Sequence, residues 1–499
     1  MVFFKFIKNL KSILFYQNWI IIFFRITKLH KILGRVFFII SKYNYRSKIN
    51  FLDSNMSYIN FTSLSEYHKN NYIDANDRWY LNNICHGSDL FLSVKNKNDY
   101  TRELVFSYLE WLFSSLNITN KKKLKDLINK SLSSDYSKEP SSASLRIYPL
   151  IFAFQNNVID KFFLENELKE CHAILHKKIE LDTGANHLID NFISLSILSS
   201  FFHENYFLKL YISFLKISLN HATSRGYYEE KNPTYAIGLS LRLKILIDIL
   251  SLKSNISNEF IDSIKDLSDS LNKLKNCPIA PINDSYLKFS SLEKFYELDN
   301  QIKIVKDYFV LKKYGNNAAS LILNSVGKRG YLGHSHDASM SLFIYNFEYK
   351  KFLICSFGTP SYANIKKRHS SRQANMYPNI LKKVRKIKSI GSFRIYDIFV
   401  PRIIRNEDNQ FYDSKTKIQF SINCSSIKIE SNEKQNIFSF FSDFSDLDIQ
   451  TSSQQISFKN VYKIKKKSAF RYDGIYNKIN CYQYDLFFRH EMEILILND

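Results

Sequence analysis

The chain has 499 residues, with 70 Lys or Arg against 47 Asp or Glu and a formal net charge of +23. That length exceeds one ordinary hydrophobic core and predicts two domains, and a composition of 45% hydrophobic and 23% charged residues excludes a disordered polar chain. The positive surplus favours polyanions as partners, whether nucleic acid, anionic lipid or acidic polysaccharide, but no nucleic-acid fold signature accompanies it.

In chain order, the first segment is the most basic. Residues 1–50 hold ten Lys or Arg and no acid; the first acid is Asp53. The longest charge-free run, Ser12 to Phe24, is too short for a spanning helix, which needs about 20 apolar residues. Cationic residues recur through the apolar stretch and the first Ala is Ala75, so a signal peptide with a small-residue cleavage site is not expected. Residues 1–60 read as a basic amphipathic helical lead-in. It either lies peripherally on an anionic membrane surface or packs on the domain that follows. The cysteines Cys85, Cys171, Cys277, Cys355, Cys424 and Cys481 form no CxxC pair or zinc spacing. They read as free thiols, which favours the cytoplasm or the cytoplasmic membrane face.

From about residue 100 to 320 apolar residues recur at helical spacing. Leu188, Phe192, Leu195 and Phe202 form one stripe, and polar breaks such as Ser133-Ser134-Asp135 separate the segments. After about residue 325 the pattern becomes strand-like. SLFIYNFEYKKFLICS (341–356) holds two runs around a charged turn, and KIQFSINCSSIKIES alternates with period two. These short strands predict an antiparallel β-sandwich after a multi-helix domain.

Three segments concentrate residues capable of catalysis. Asn186 and His187 stand at the expected cap of an apolar helix, where a simple capping role is the plain alternative. Pro233 suits the first turn of another helix, with Tyr235 just inside it. His334 and His336 form an H-x-H, which on a strand puts both imidazoles on one face, a usual acid–base or metal arrangement.

In this order the segments resemble the heparinase II/III-like polysaccharide lyases. The matching runs are NHLIDN (186–191), GYYEEKNPTY (226–235), GHSHDA (333–338) and GTPSY (358–362). RWYLNN (78–83) and SLRI (144–147) resemble landmarks of the family's helical domain. The resemblance covers about residues 75 to 380, and its third motif is the most specific. It implies an incomplete (α/α) toroid over 61–315 and a β-sandwich over 325–499. The basic helical lead-in looks like the family branch associated with capsule or lipopolysaccharide synthesis rather than the secreted branch.

The resemblance also implies chemistry: β-elimination at a uronic acid in an anionic polysaccharide. Asn186 would donate a hydrogen bond to the substrate carboxylate, where negative charge grows, and His187 would assist it. Tyr235 would protonate the leaving oxygen and, in a syn elimination, first take the C5 proton. A free Tyr, with a pKa of about 10, needs nearby positive charge for that, from Lys231 or Arg146. His334 would be the base for the opposite stereochemistry. Arg146, Glu230 and His336 would line the substrate groove. Some family members bind zinc through the second His of H-x-H and two downstream ligands. Here those positions hold His336, Ser356 and Tyr377, too few donors, so no stoichiometric zinc, no other metal and no cofactor is expected in this chain. The alternative reading is a non-catalytic glycan-binding or accessory protein of polysaccharide synthesis with the same fold.

Overall fold

The computed structural model describes residues 56, 59–76, 78–81, 84–85, 100–181, 185–223, 228–252, 261–262, 264–266, 268, 302–305, 309–327, 339–355, 388–390, 394–397, 402–407, 409–415, 417–432, 436–444, 456–472 and 478–496. The basic lead-in lies outside them, except for a few positions at its end. The chain divides into two compact units. One holds the described residues up to Glu229 together with those from Tyr235 to 268; the other holds Glu230–Thr234 and everything described from 302 onward.

The first unit is built from helices. After short helices at Thr62–Tyr67, Tyr100–Ser107 and Leu112–Ser115 come α1 (Lys121–Leu132), α2 (Pro140–Gln155), α3 (Lys161–Lys178), α4 (Ala185–Phe201), α5 (Asn205–Ala222) and α6 (Pro233–Ser251). Local chemistry sets several starts. Asn120 caps α1 by accepting from the Lys122 amide at 2.9 Å, and Asp160 caps α3 by accepting from the Phe163 amide at 2.8 Å. Pro140 and Pro233 occupy the first positions of α2 and α6, where a missing N–H costs nothing. In α3, Leu164, Leu168, Cys171 and Leu175 form a buried stripe, and in α5 the stripe is Leu208, Tyr211, Leu215 and Leu219.

α4 departs from the one-sided stripe read in the sequence. From Ile189 to Phe201 every residue is buried, because α4 packs against α2, α3 and α5. Its serines are buried with the apolar side chains: Ser194 Oγ donates to the Ser144 carbonyl and Ser196 Oγ to the Phe192 carbonyl. A small antiparallel sheet, β1 (Tyr72–Ile73), β2 (Trp79–Leu81) and β3 (Ile84–Cys85), also belongs to this unit and has no counterpart in the sequence reading.

The second unit is antiparallel throughout its described pairs. One sheet runs in the order β4 (Lys303–Val305), β5 (Phe309–Tyr314), β6 (Asn317–Ile322), β7 (Ser341–Asn346), β8 (Lys351–Ile354). β9 (Lys388–Ile390) pairs antiparallel with β10 (Arg394–Asp397). A larger sheet contains β11 (Ile403–Glu407), β12 (Gln410–Asp413), β13 (Ile418–Ile422), β14 (Ser426–Ser431), β15 (Asn436–Ser442), β16 (Ile456–Tyr472) and β17 (Lys478–Ile496). The hairpins read from SLFIYNFEYKKFLICS and KIQFSINCSSIKIES are β7–β8 and β13–β14.

Strands begin at Lys303, ahead of the change of pattern near residue 325. The reason is burial: β5 is buried at all but one position and β6 at all six, so neither alternates. Hydrogen bonds link the two large sheets. The Phe352 amide donates to Asp443 Oδ2 at 2.9 Å, and Tyr314 Oη donates to the Asn423 carbonyl at 3.2 Å. No described helix is long and apolar enough to cross a membrane. Among the described cysteines, Cys171 and Cys424 are free thiols.

Candidate active site

The helical unit places three of the expected residues in the first turns of two helices. α4 begins at Ala185, so Asn186 and His187 lie inside its first turn rather than at its cap. Both are half-buried. His187 Nδ1 lies 3.4 Å from Glu180 Oε1, and the His187 side chain is 36% exposed, which leaves the ring within reach of a ligand. α6 begins at Pro233, and Tyr235 is half-buried in its first turn.

A buried ion pair joins these two helices. Arg242 Nε donates to Asp190 Oδ1 at 2.7 Å and Arg242 Nη2 to Asp190 Oδ2 at 3.1 Å, a two-pronged contact. Asp190 follows His187 by three residues and Asn186 by four; Arg242 follows Tyr235 by seven. Those spacings put partners on one helix face. The pair therefore joins the α4 face that carries Asn186 and His187 to the α6 face that carries Tyr235. Burial pushes the Asp190 carboxyl up from its ordinary value, and Arg242 opposes that shift. Gly238 makes room for the guanidinium: a Cβ there would stand 3.1 Å from Arg242 Nη1 and 3.1 Å from Tyr67 Oη.

A second polar contact fixes the approach to α4. Asn191 Oδ1 accepts from the Glu180 amide at 2.9 Å, while Asn191 Nδ2 donates to Ser144 Oγ at 2.8 Å and to Glu180 Oε2 at 3.2 Å. Glu180, which faces His187, is thus positioned by the Asn that ends the NHLIDN run. Sequence reasoning singled out that run but not Arg242, whose only signal is a cation set within the apolar stretch of α6.

The remaining expected residues belong to other segments or lie outside the described set. Arg146, in α2, is only 1% exposed; its Nη1 donates to the Ser137 carbonyl. Its charge opposes the effect of burial on Cys171, whose thiol is pushed up to about 11. Glu230 and Lys231 are buried, and Lys231 Nζ donates to the Asn324 carbonyl at 3.0 Å. Lys231 has φ 53°, a left-handed backbone that a non-glycine residue adopts at a cost. His334, His336, Ser356 and Tyr377 lie outside the described residues.

Comparison with solved structures identifies the class of fold, that of a heparinase-like polysaccharide lyase. The crystal structure of heparinase III matches with a TM-score of 0.61 at 11% identity, covering 98% of this chain and 94% of that one. A heparan sulfate lyase mutant from Pedobacter heparinus matches with a TM-score of 0.48 at 10% identity, covering 91% of this chain and 84% of that one. No protein-family profile and no curated protein sequence matches the chain.

Proposed function

We propose that this chain is a polysaccharide lyase that cleaves an anionic, uronic-acid-containing polysaccharide by β-elimination. In this reading the helical unit is an incomplete (α/α) toroid and the strand unit an antiparallel β-sandwich. The observation that carries it is the buried Asp190–Arg242 pair, which joins the helix that carries Asn186 and His187 to the helix that carries Tyr235, on a fold shared along its length with heparinase III.

The reaction removes the C5 proton of the uronic acid, forms a C4–C5 double bond and breaks the C4–O bond to the departing sugar. Charge accumulates on the substrate carboxylate as the proton leaves. Asn186, in the first turn of α4, donates to that carboxylate, and the positive end of the helix adds to the stabilisation. His187, held by Glu180, orients the same group. Tyr235 returns a proton to the leaving oxygen. In a syn elimination Tyr235 first takes the C5 proton; in an anti elimination His334 takes it. Glu230 and His336 contribute to binding, and Arg146 acts from behind, as a positioning residue between helices.

The acid-free, basic first fifty residues support a peripheral place on the cytoplasmic membrane face and a role in surface polysaccharide metabolism. The test of the reaction is incubation with a panel of uronate polysaccharides while ultraviolet absorbance is followed. Absorbance from an unsaturated product is expected with at least one polymer. A flat trace with every polymer would overturn the lyase reading and favour a glycan-binding accessory protein.

A further inference from the structure

A second polar cluster lies in the helical unit, away from the Asp190–Arg242 seam. His172 and His176 are four residues apart on α3, so they share a helix face. Glu204 stands just before α5. His172 Nε2 is 2.9 Å from His176 Nε2 and 3.3 Å from Glu204 Oε2. One ligand atom from each of the three groups lies within 4.8 Å of the others. The histidines are 0% and 2% exposed.

We propose that His172, His176 and Glu204 form a binding site for one divalent transition-metal ion of the zinc type. Two imidazoles and a carboxylate are a donor set suited to such an ion, whereas magnesium and calcium select oxygen-only sites. Ligand bonds of about 2.0–2.2 Å place neighbouring donors roughly 3.3–3.6 Å apart; the 3.3 Å His172–Glu204 contact has that spacing, and the 2.9 Å His172–His176 hydrogen bond would open slightly to reach it. Tyr211 Oη, 3.0 Å from His176 Nε2, offers a fourth donor. The walls are apolar: Phe202 lies edge-on to His172 and Phe207 edge-on to His176. A metal here ties α3 to the start of α5, as a closed structural site would.

Burial supports the assignment. The side chain of His172 is 0% exposed and that of Glu204 10%. Deprotonated imidazoles are the form that binds metal. A divalent ion would supply the positive charge that a buried carboxylate requires. The site is separate from the family zinc position, whose counterparts here are His336, Ser356 and Tyr377.

The experiment uses the full-length protein, stripped with a chelator and then titrated with zinc or cobalt(II). We expect one equivalent of zinc by elemental analysis, a rise in melting temperature on adding zinc, and a cobalt(II) visible spectrum typical of low coordination number. Glu204→Gln, which keeps the side-chain shape, and His176→Ala should each weaken zinc binding by more than the roughly 10–100-fold that outer-shell changes cost. His336→Ala should leave the stoichiometry unchanged. Absence of stoichiometric metal together with an unmoved melting temperature would overturn the proposal. So would unchanged binding in Glu204→Gln, or loss of the metal in His336→Ala alone.

Discussion

The helical unit buries two polar clusters that meet the cost of burial in different ways. Asp190 and Arg242 are opposite charges in a two-pronged contact, so each carries its own compensation. His172, His176 and Glu204 are two imidazoles and a carboxylate, with no Lys or Arg among them. The first cluster is complete as a pair; the second gains its balance from a bound cation. Similar burial therefore points to different roles, one holding a seam beside the candidate active site and the other holding two helices through a metal.

The largest effect should come from breaking the complete pair. Asp190→Ala leaves the Arg242 charge buried without its carboxylate and should cost about 3–5 kcal/mol in denaturant unfolding. Replacing both partners, Asp190→Leu with Arg242→Met, should recover most of that loss. A single variant as stable as the parent would break the comparison.

Zinc should act on the second cluster alone. At a hundredfold excess over its dissociation constant it should stabilise the parent by about 2.7 kcal/mol. The shift should vanish in Glu204→Gln and persist in Asp190→Leu/Arg242→Met. Tyr235→Phe tests the seam's chemistry without disturbing either cluster. Turnover should fall by about 10²-fold or more while the melting temperature stays near that of the parent.

The smallest effect is expected at Gly238. Ala would favour the helix by roughly 1 kcal/mol, but its Cβ would press on Arg242, which Asp190 holds in place. Overpacking costs about 1–3 kcal/mol, so a net loss near 1 kcal/mol should appear in unfolding curves. In Asp190→Leu/Arg242→Met the loss should shrink, because the Arg242 contact is gone while the 3.1 Å contact with Tyr67 Oη remains.

Much of the fold was legible because local chemistry sets it. Pro233 marks the start of α6, and the period-two run at 417–431 marks the β13–β14 hairpin. Where elements are buried on every side the pattern disappears. β5 and β6 lack the alternation of exposed and buried positions that marks a half-exposed strand, and α4 is buried on every side from Ile189 to Phe201. In the site, the motif residues Asn186, His187 and Tyr235 were visible in sequence. Arg242 was not, because its partner lies 52 residues away. His172 and His176 carried a signal, their spacing of four, but Glu204 joins them only through the packing of α3 on the start of α5.

The most direct test of the central claim compares the parent protein with Tyr235→Phe on the uronate polymer that gives the strongest absorbance. Products are followed by mass spectrometry and ultraviolet absorbance together. The lyase account predicts that the parent releases an unsaturated product lacking the elements of water relative to a hydrolysis product, and that Tyr235→Phe releases it about 10²-fold more slowly or less. A hydrated, saturated product from the parent, or equal rates from the two proteins, would contradict it.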